Sequence, residues 1–269
     1  MESTTPDAAN PGDASNATPD SAPGNVPGPS PSAAVAALLA EERLIPYWHT
    51  AVLLLILGGF SLLNAKSGHG AHSGHAPVRI YLATMVYEWL LTGYVWWGLR
   101  RSGLTLRELI GGRWRSAGDF LFDIALALFV WFGTLLVIAM AAIAMGMDHT
   151  GSIEDARKQI GFLAPQTGLE VILWICLSAT AGFCEEVLFR GYLQKQFSRL
   201  LRNRWTAVVV VSILFGLGHG YEGPQRMLLI ALLGLALGIM SLLRKSLRPA
   251  MMAHTLQDTI SGLLLRALR

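Results

Sequence analysis

Six residues in the last third of the chain have the types and spacings of a reacting centre: Glu185, Glu186, Arg190, His219, His254 and Asp258. All lie in or beside strongly apolar stretches, where a charge costs at least a few kcal/mol and so needs a partner or a task. Glu186 and Arg190 are four residues apart and share a helical face, which suits an ion pair. Glu185 is turned about 100° away and cannot share that arginine in the same way. One carboxylate reads as structurally committed and the other as free. His254 and Asp258 are also four apart. Both can point into one site, or Asp258 can orient His254 through a ring N–H. A free carboxylate in a dry, apolar setting is suited to take a proton from water, as peptide hydrolysis requires. Two histidines and a carboxylate are also a known zinc set, although the chain has no HExxH. Glu/His chains inside membranes serve equally as proton relays in transporters.

Each group has a plainer reading as well. Glu186–Arg190 alone is what a buried structural ion pair looks like. His219, between Gly218 and Gly220, can cap a helix, and His254 can bond to a neighbouring one. Phe215, one turn before His219, is expected on the same face as that histidine. Glu88 and Asp123 match none of these patterns and are expected to be hydrogen-bonded structural groups, with a role in the site as the alternative. Gly216, Gly218, Gly234 and Gly238 are expected to let helices approach closely. Only the joint occurrence of the polar groups favours the enzyme reading.

Helices crossing a membrane must position these groups. The 269 residues are 52% hydrophobic and only 14% charged, where soluble domains carry about 25% charge. The apolar residues come in long blocks, the pattern of membrane spans. The fold class is therefore all-α, a polytopic membrane bundle of about seven helices, with room for an eighth, half-buried segment. The expected spans are roughly 46–65, 80–99, 119–146, 168–189, 205–219, 226–243 and 249–267. Trp48, Trp89, Trp96 and Trp97 read as interfacial aromatics. Every second loop is basic, from Arg100 to Arg115, from Lys195 to Arg204 and from Arg244 to Arg248. By the positive-inside rule these loops and the N-terminus are cytoplasmic and the C-terminus is outside. The expected location is the cell (inner) membrane, with the lipid bilayer as partner and no nucleic acid. Oligomeric state is not encoded in any pattern found.

Residues 1–35 are rich in Pro, Ala, Ser, Asp and Gly and read as a disordered acidic tail. They contain no apolar core of a signal peptide. Residues 36–164 form an N-terminal region of three spans, and 165–269 hold four spans and the reactive groups. Cys176 and Cys184 are eight apart on one predicted helix, too far for a disulfide. His69, His72 and His75 lie in a Gly/Ser-rich loop; metal binding there is the alternative to a plain exposed loop.

Depth gives a further test. If one helix runs from Glu185 to about Leu200 and the chain reverses near Arg202, an antiparallel hairpin sets Glu185 and His219 at matching height. Each is seventeen residues from the turn. His254 is only six residues after Arg248, about 9 Å along a helix, so its level fits only if the last helix is offset.

Three sequences in order, "EEVLFR", "FGLGH" and "HTLQD", fit EExxxR, FxxxH and HxxxN/D on successive apolar segments. Over roughly residues 165–262 the chain resembles the CPBP family of intramembrane proteases, also called the CAAX protease and bacteriocin-processing or Abi family. That family includes the eukaryotic type II CAAX prenyl endopeptidase. The resemblance implies a helical membrane fold with the site inside the bundle, and hydrolysis of a peptide or membrane-protein substrate near the cytoplasmic membrane face. It implies Glu185 as general base, Glu186 and Arg190 as braces, and His219, His254 and Asp258 as holders of water, oxyanion or metal. If a metal such as zinc is bound, His219, His254, Glu185 and Asp258 are its implied ligands; a metal-independent glutamate protease is implied equally. Asp258 stands where the eukaryotic enzymes have asparagine. An ionised aspartate has no donor for an oxyanion, so Asp258 points toward metal ligation or histidine orientation, or must be protonated to donate. The alternatives are a Glu/His transporter or proton relay, and a non-catalytic membrane scaffold of the same fold.

Overall fold

The computed structural model describes residues 45–66, 77–146 and 160–267. All regular structure among the described residues is helical. In chain order the elements are α1 (Tyr47–Lys66), α2 (Pro77–Arg101), α3 (Leu106–Ile110), α4 (Ala117–Ala144), a 3₁₀ turn (Gly161–Leu163) and α5 (Gly168–Glu185). A π-helical segment (Glu186–Leu193) continues α5 into α6 (Gln194–Leu200). Then come α7 (Arg204–Gly218), a 3₁₀ turn (Gly220–Glu222), α8 (Pro224–Arg244) and α9 (Arg248–Ala267). The seven long helical passages start and end within a few residues of the expected spans, except that the fourth runs on to Leu200.

Three of these passages are long and apolar enough to cross a membrane by length and composition: α4, the 33-residue run Gly168–Leu200, and α8. Two shorter apolar helices, Tyr47–Leu63 and Arg204–Gly218, accompany them. The chain is thus a multi-pass helical membrane protein. Helix α4 turns large apolar side chains outward, among them Phe129, Leu136 and Met140. In water such a face would be an aggregation hazard; in lipid it is the solvated surface.

Helix ends carry the expected chemistry. Thr167 and Glu170 form a reciprocal capping box that starts α5. Asn203 caps α7, its side-chain oxygen accepting from the Trp205 and Thr206 amides. The chain reverses at Leu201–Asn203, with Arg202 in the left-handed region at φ 53°, so the hairpin between Glu185 and His219 forms as anticipated. The short α3, which was not anticipated, starts on its own capping box of Thr105 and Glu108.

That helix accounts for the depth of His254. Leu247 donates its amide to the Ile110 carbonyl at 2.9 Å, and Arg248 donates to the carbonyls of Gly111 and Gly112. Gly191 lies against Leu109 and Leu247. The α8–α9 turn is therefore level with Gly191, well inside the turn at Arg202. The last helix is offset as the sequence required.

Two apolar cores lock the arrangement. One joins α1, α2, the π segment and α7 through Leu53, Val95, Leu188, Tyr192 and Phe215; the other joins α4, α8 and α9 through Ala127, Leu237 and Ala253. Three of the four glycines expected to admit close packing do so. A Cβ on Gly216 would meet the Met227 carbonyl oxygen at 2.5 Å, on Gly234 the Arg190 Nη2 at 3.0 Å, and on Gly238 the Gln194 Oε1 at 3.1 Å. Gly218 is the correction: a Cβ there would meet nothing within 4 Å, although Ser61 of α1 donates to the adjacent Leu217 carbonyl. Trp89 is another. It sits at the middle of α2 and stacks on Phe183 of α5 at 5.5 Å, so it belongs to a helix contact and not to a helix end. Both cysteines are free, as expected. The acidic tail and the loop bearing His69, His72 and His75 lie outside the described residues.

Candidate active site

Helix α5 delivers Glu185 at its last turn, and the π segment begins on Glu186. A π turn widens the helix locally and is frequent at functional sites. Across the junction the two carboxylates diverge as the sequence implied. Glu186 is fully buried and its Oε1 accepts from Arg190 Nη1 at 2.8 Å. The same oxygen accepts from His254 Nδ1 at 2.9 Å, a bond the sequence did not reveal. The His254 side chain keeps 4% of its surface exposed. The partner that orients His254 through Nδ1 is thus Glu186, and not Asp258.

With Nδ1 committed, His254 Nε2 faces the remaining groups. It lies 3.6 Å from Glu185 Oε2 and 3.5 Å from Asp258 Oδ2. Glu185 Oε2 is buried with no hydrogen-bond partner. The side chains open progressively outward: Glu186 at 0%, Glu185 at 18% and Asp258 at 33% exposure. The centre is therefore a closed ion-pair base with one free carboxylate above it and a mouth on the Asp258 side.

Arg190 is held from three directions. Its guanidinium pairs with Glu186, lies 4.2 Å over the Phe215 ring and abuts Gly234. A cation over an aromatic face gains about 0.5–2 kcal/mol, which offsets part of its burial. Phe215 also meets both histidines edge-on, at 5.0 Å for His219 and 5.7 Å for His254. One phenyl ring thus sets the places of Arg190, His219 and His254. The expected Phe215–His219 packing is present.

His219 follows α7 as its C-cap residue, and its Nδ1 donates to the Phe215 carbonyl at 2.9 Å. The capping role and a site role are therefore compatible, because the bond leaves Nε2 as a free acceptor. The 3₁₀ turn after it brings Tyr221 and Glu222 to the mouth. Glu222 meets Arg226 at 3.7 Å. Burial, with the carboxylates of Glu222, Glu185 and Asp258 nearby, pushes the Tyr221 phenol well up, so it stays neutral at the lip.

Glu88 corrects an expectation. It is buried at 5% exposure with Oε2 unpartnered, instead of being hydrogen-bonded away. It lies within Coulombic reach of Glu185, His254 and Asp258. The available signal was its place on the packed seam of α2 with Tyr81, Thr92, Val95 and Leu99. Asp123, by contrast, is the structural group expected: it accepts from Arg244 Nε at 2.7 Å and Trp114 Nε1 at 2.8 Å.

His219, His254, Glu185 and Asp258 supply the donor types of a zinc site. As placed they do not gather into one: among the described residues no group of three or more His, Cys, Asp or Glu is arranged to hold a metal ion. Both Nδ1 atoms are engaged with protein acceptors.

Residues 167–260 match the model of a family described as type II CAAX prenyl endopeptidase Rce1-like. The matched stretch starts at the cap of α5 and ends two residues past Asp258, so it contains all six reactive groups and excludes Glu88. No curated protein and no solved structure matches the chain.

Proposed function

From the premise that residues 167–260 carry a domain of the Rce1-like CAAX protease family, we propose that the chain is an intramembrane endopeptidase in which Glu185 is the general base. The observation that carries this is the unpartnered Glu185 Oε2 at 3.6 Å from His254 Nε2. A water bridging these two atoms from beside the pair is offered a carboxylate acceptor and an imidazole together. Glu185 takes its proton as the oxygen attacks a peptide carbonyl. His219 Nε2, a free acceptor, holds the same water from α7. His254, as an imidazolium fixed through Nδ1 by Glu186, presents Nε2–H to the developing oxyanion. Such preorganised donors contribute about 3–4 kcal/mol each to a hydrolytic barrier. Arg190 and Glu186 brace the imidazole and touch no reacting atom. Asp258 acts as an acceptor that keeps His254 charged, in line with its lack of a donor when ionised.

The seven long passages are proposed to cross the bilayer with the N-terminus in the cytoplasm of a cell (inner) membrane. Support comes from the basic turns at Arg202 and at Arg244–Arg248, which lie at one end of the α5–α7 and α8–α9 pairs. Its substrate is a peptide or membrane protein, and the mouth at Asp258, Tyr221 and Glu222 lies by the α7–α8 turn, at the end of α7 opposite the Arg202 turn.

The test is cleavage of membrane-embedded peptides by purified protein in liposomes, with products identified by mass spectrometry. His219→Ala and Glu185→Ala should abolish cleavage by at least about 100-fold while insertion and melting are kept. Cleavage retained in both variants, or ion flux without any peptide product, refutes the protease reading.

A further inference from the structure

The seam between α2 and α5 carries a second free carboxyl group that no pattern in the matched domain includes. Glu88 sits among Tyr81, Leu91, Thr92 and Val95 on the buried face of α2. Its flanking residues fix its direction. Trp89 stacks on Phe183 of α5 at 5.5 Å, and Tyr87 stacks on Phe60 of α1 at 4.1 Å. Glu88 is thereby held between α1 and α5, toward the helix end that bears Glu185. Its Oε2 has no protein partner and no contact with water. A carboxyl buried without a hydrogen bond is costly unless a ligand meets it.

A count of charge at the centre says which form it takes. Glu88, Glu185, Glu186 and Asp258 are four carboxyl groups, set against Arg190, His254 and His219. With His219 neutral, as its acceptor role requires, the four carboxyls face two cations; Asp258, a third exposed, keeps its charge at the mouth, and one buried carboxyl must keep its proton. Glu186 holds Arg190 and His254, and both Glu185 and Asp258 face His254 Nε2. Glu88 has no cation within ion-pair distance among the described residues. It is the group that stays a carboxylic acid, with an O–H to donate.

We infer that Glu88 is the general acid of the reaction, protonating the leaving amine while Glu185 deprotonates the water. This deepens the protease reading and rests on it. The step balances. Glu185 accepts one water proton as the oxygen–carbon bond forms at the peptide carbonyl. The carbon–nitrogen bond then breaks as the Glu88 proton passes to nitrogen, leaving an amine and a carboxylic acid. Glu185 now holds a proton and Glu88 is ionised; transfer of that proton from Glu185 to Glu88 restores the starting state. Water is the only co-reactant. Two carboxyl groups in opposite protonation states are a known solution for acid and base work in one site. Here they come from opposite halves of the chain.

The leaving group supplies the test. An amide nitrogen must be protonated to depart, whereas a nitrophenolate leaves unaided. Wild type and Glu88→Gln are compared in liposomes on a peptide amide and on the nitrophenyl ester of the same acyl segment. The expected result is a fall of about 100-fold or more in kcat on the amide, with kcat on the ester within about threefold of wild type. Glu88→Asp, still an acid, should recover part of the amide rate. Equal rates of wild type and Glu88→Gln on both substrates overturn the inference. So does an equal loss on both, or a Glu88→Gln melting temperature too low for the assay combined with an inactive Glu88→Asp. Wild-type protein that cleaves neither substrate refutes the protease reading itself, an outcome distinct from all of these.

Discussion

Gly182 is the point at which helix packing and chemistry are most tightly linked. A Cβ built there would overlap Thr255 Oγ1 and lie 2.9 Å from both the Met251 carbonyl oxygen and the Thr255 amide nitrogen. Two of those three contacts are backbone, so no rotamer change relieves them. To restore an ordinary contact of about 3.5 Å, α5 and α9 must part by about 0.5 Å or more. Glu185 is one turn after Gly182 on α5, and His254 immediately precedes Thr255 on α9. The same displacement therefore stretches the 2.9 Å Glu186–His254 bond and the 3.6 Å Glu185–His254 approach. Overpacking of this kind costs about 1–3 kcal/mol, and misplacing reacting groups by up to about 1 Å costs on the order of 100-fold in rate. Gly182→Ala should lose about 100-fold in kcat/KM on a membrane-embedded peptide, and its thermal inactivation in detergent should fall by several degrees. Gly218→Ala is the matched control. It is also glycine to alanine beside a site histidine, but its Cβ meets nothing, so rate and stability should be unchanged. A fully active, fully stable Gly182→Ala variant would refute the reasoning that ties the α5–α9 contact to the reacting centre.

Other expectations follow from individual buried groups. Glu186→Gln leaves the Arg190 guanidinium in the interior without a carboxylate, so stability should drop by about 3–5 kcal/mol, read by unfolding in detergent. Asp123→Asn weakens the Arg244 pair that joins α4 to α8; stability should fall by about 1–3 kcal/mol while the kcat of folded protein stays at the wild-type value. Tyr192→Phe removes the hydroxyl shared by His49 and Thr50 at 2.8 Å each and should cost about 1–3 kcal/mol by the same assay, loosening the π segment that carries Glu186 and Arg190.

How much of this was legible in the sequence depends on the range of the interaction. Helix positions and the Glu186–Arg190 pair follow from local spacing, and they stand. The matched depth of Glu185 and His219 also follows, because a single tight turn at Arg202 connects their helices. The bond from His254 to Glu186 does not. It requires the α8–α9 turn to sit level with Gly191, which the Leu247–Ile110 contact with the short α3 determines. No periodicity announces a five-residue helix that acts as a shelf. The π segment was equally hidden, since nothing in its residue types (EVLFRGYL) distinguishes a π turn from an α turn. Trp89 was misplaced because an aromatic residue in an apolar run has the same signature at a helix crossing as at an interface. Glu88 was set aside for lack of a pattern on its own helix. Its role depends on what α5 presents to it, which is a property of two helices together.

The central claim is that Glu185 activates the water. Glu185→Gln keeps the shape and the packing of the side chain while removing the basic oxygen. Wild type and Glu185→Gln should be reconstituted at equal amounts and turned over on one membrane-embedded peptide in ¹⁸O-water, with fragments weighed by mass spectrometry. The account predicts two fragments from wild type, the new C-terminus bearing one ¹⁸O, and a rate at least about 100-fold lower from Glu185→Gln. Equal rates of labelled cleavage from both proteins would contradict it.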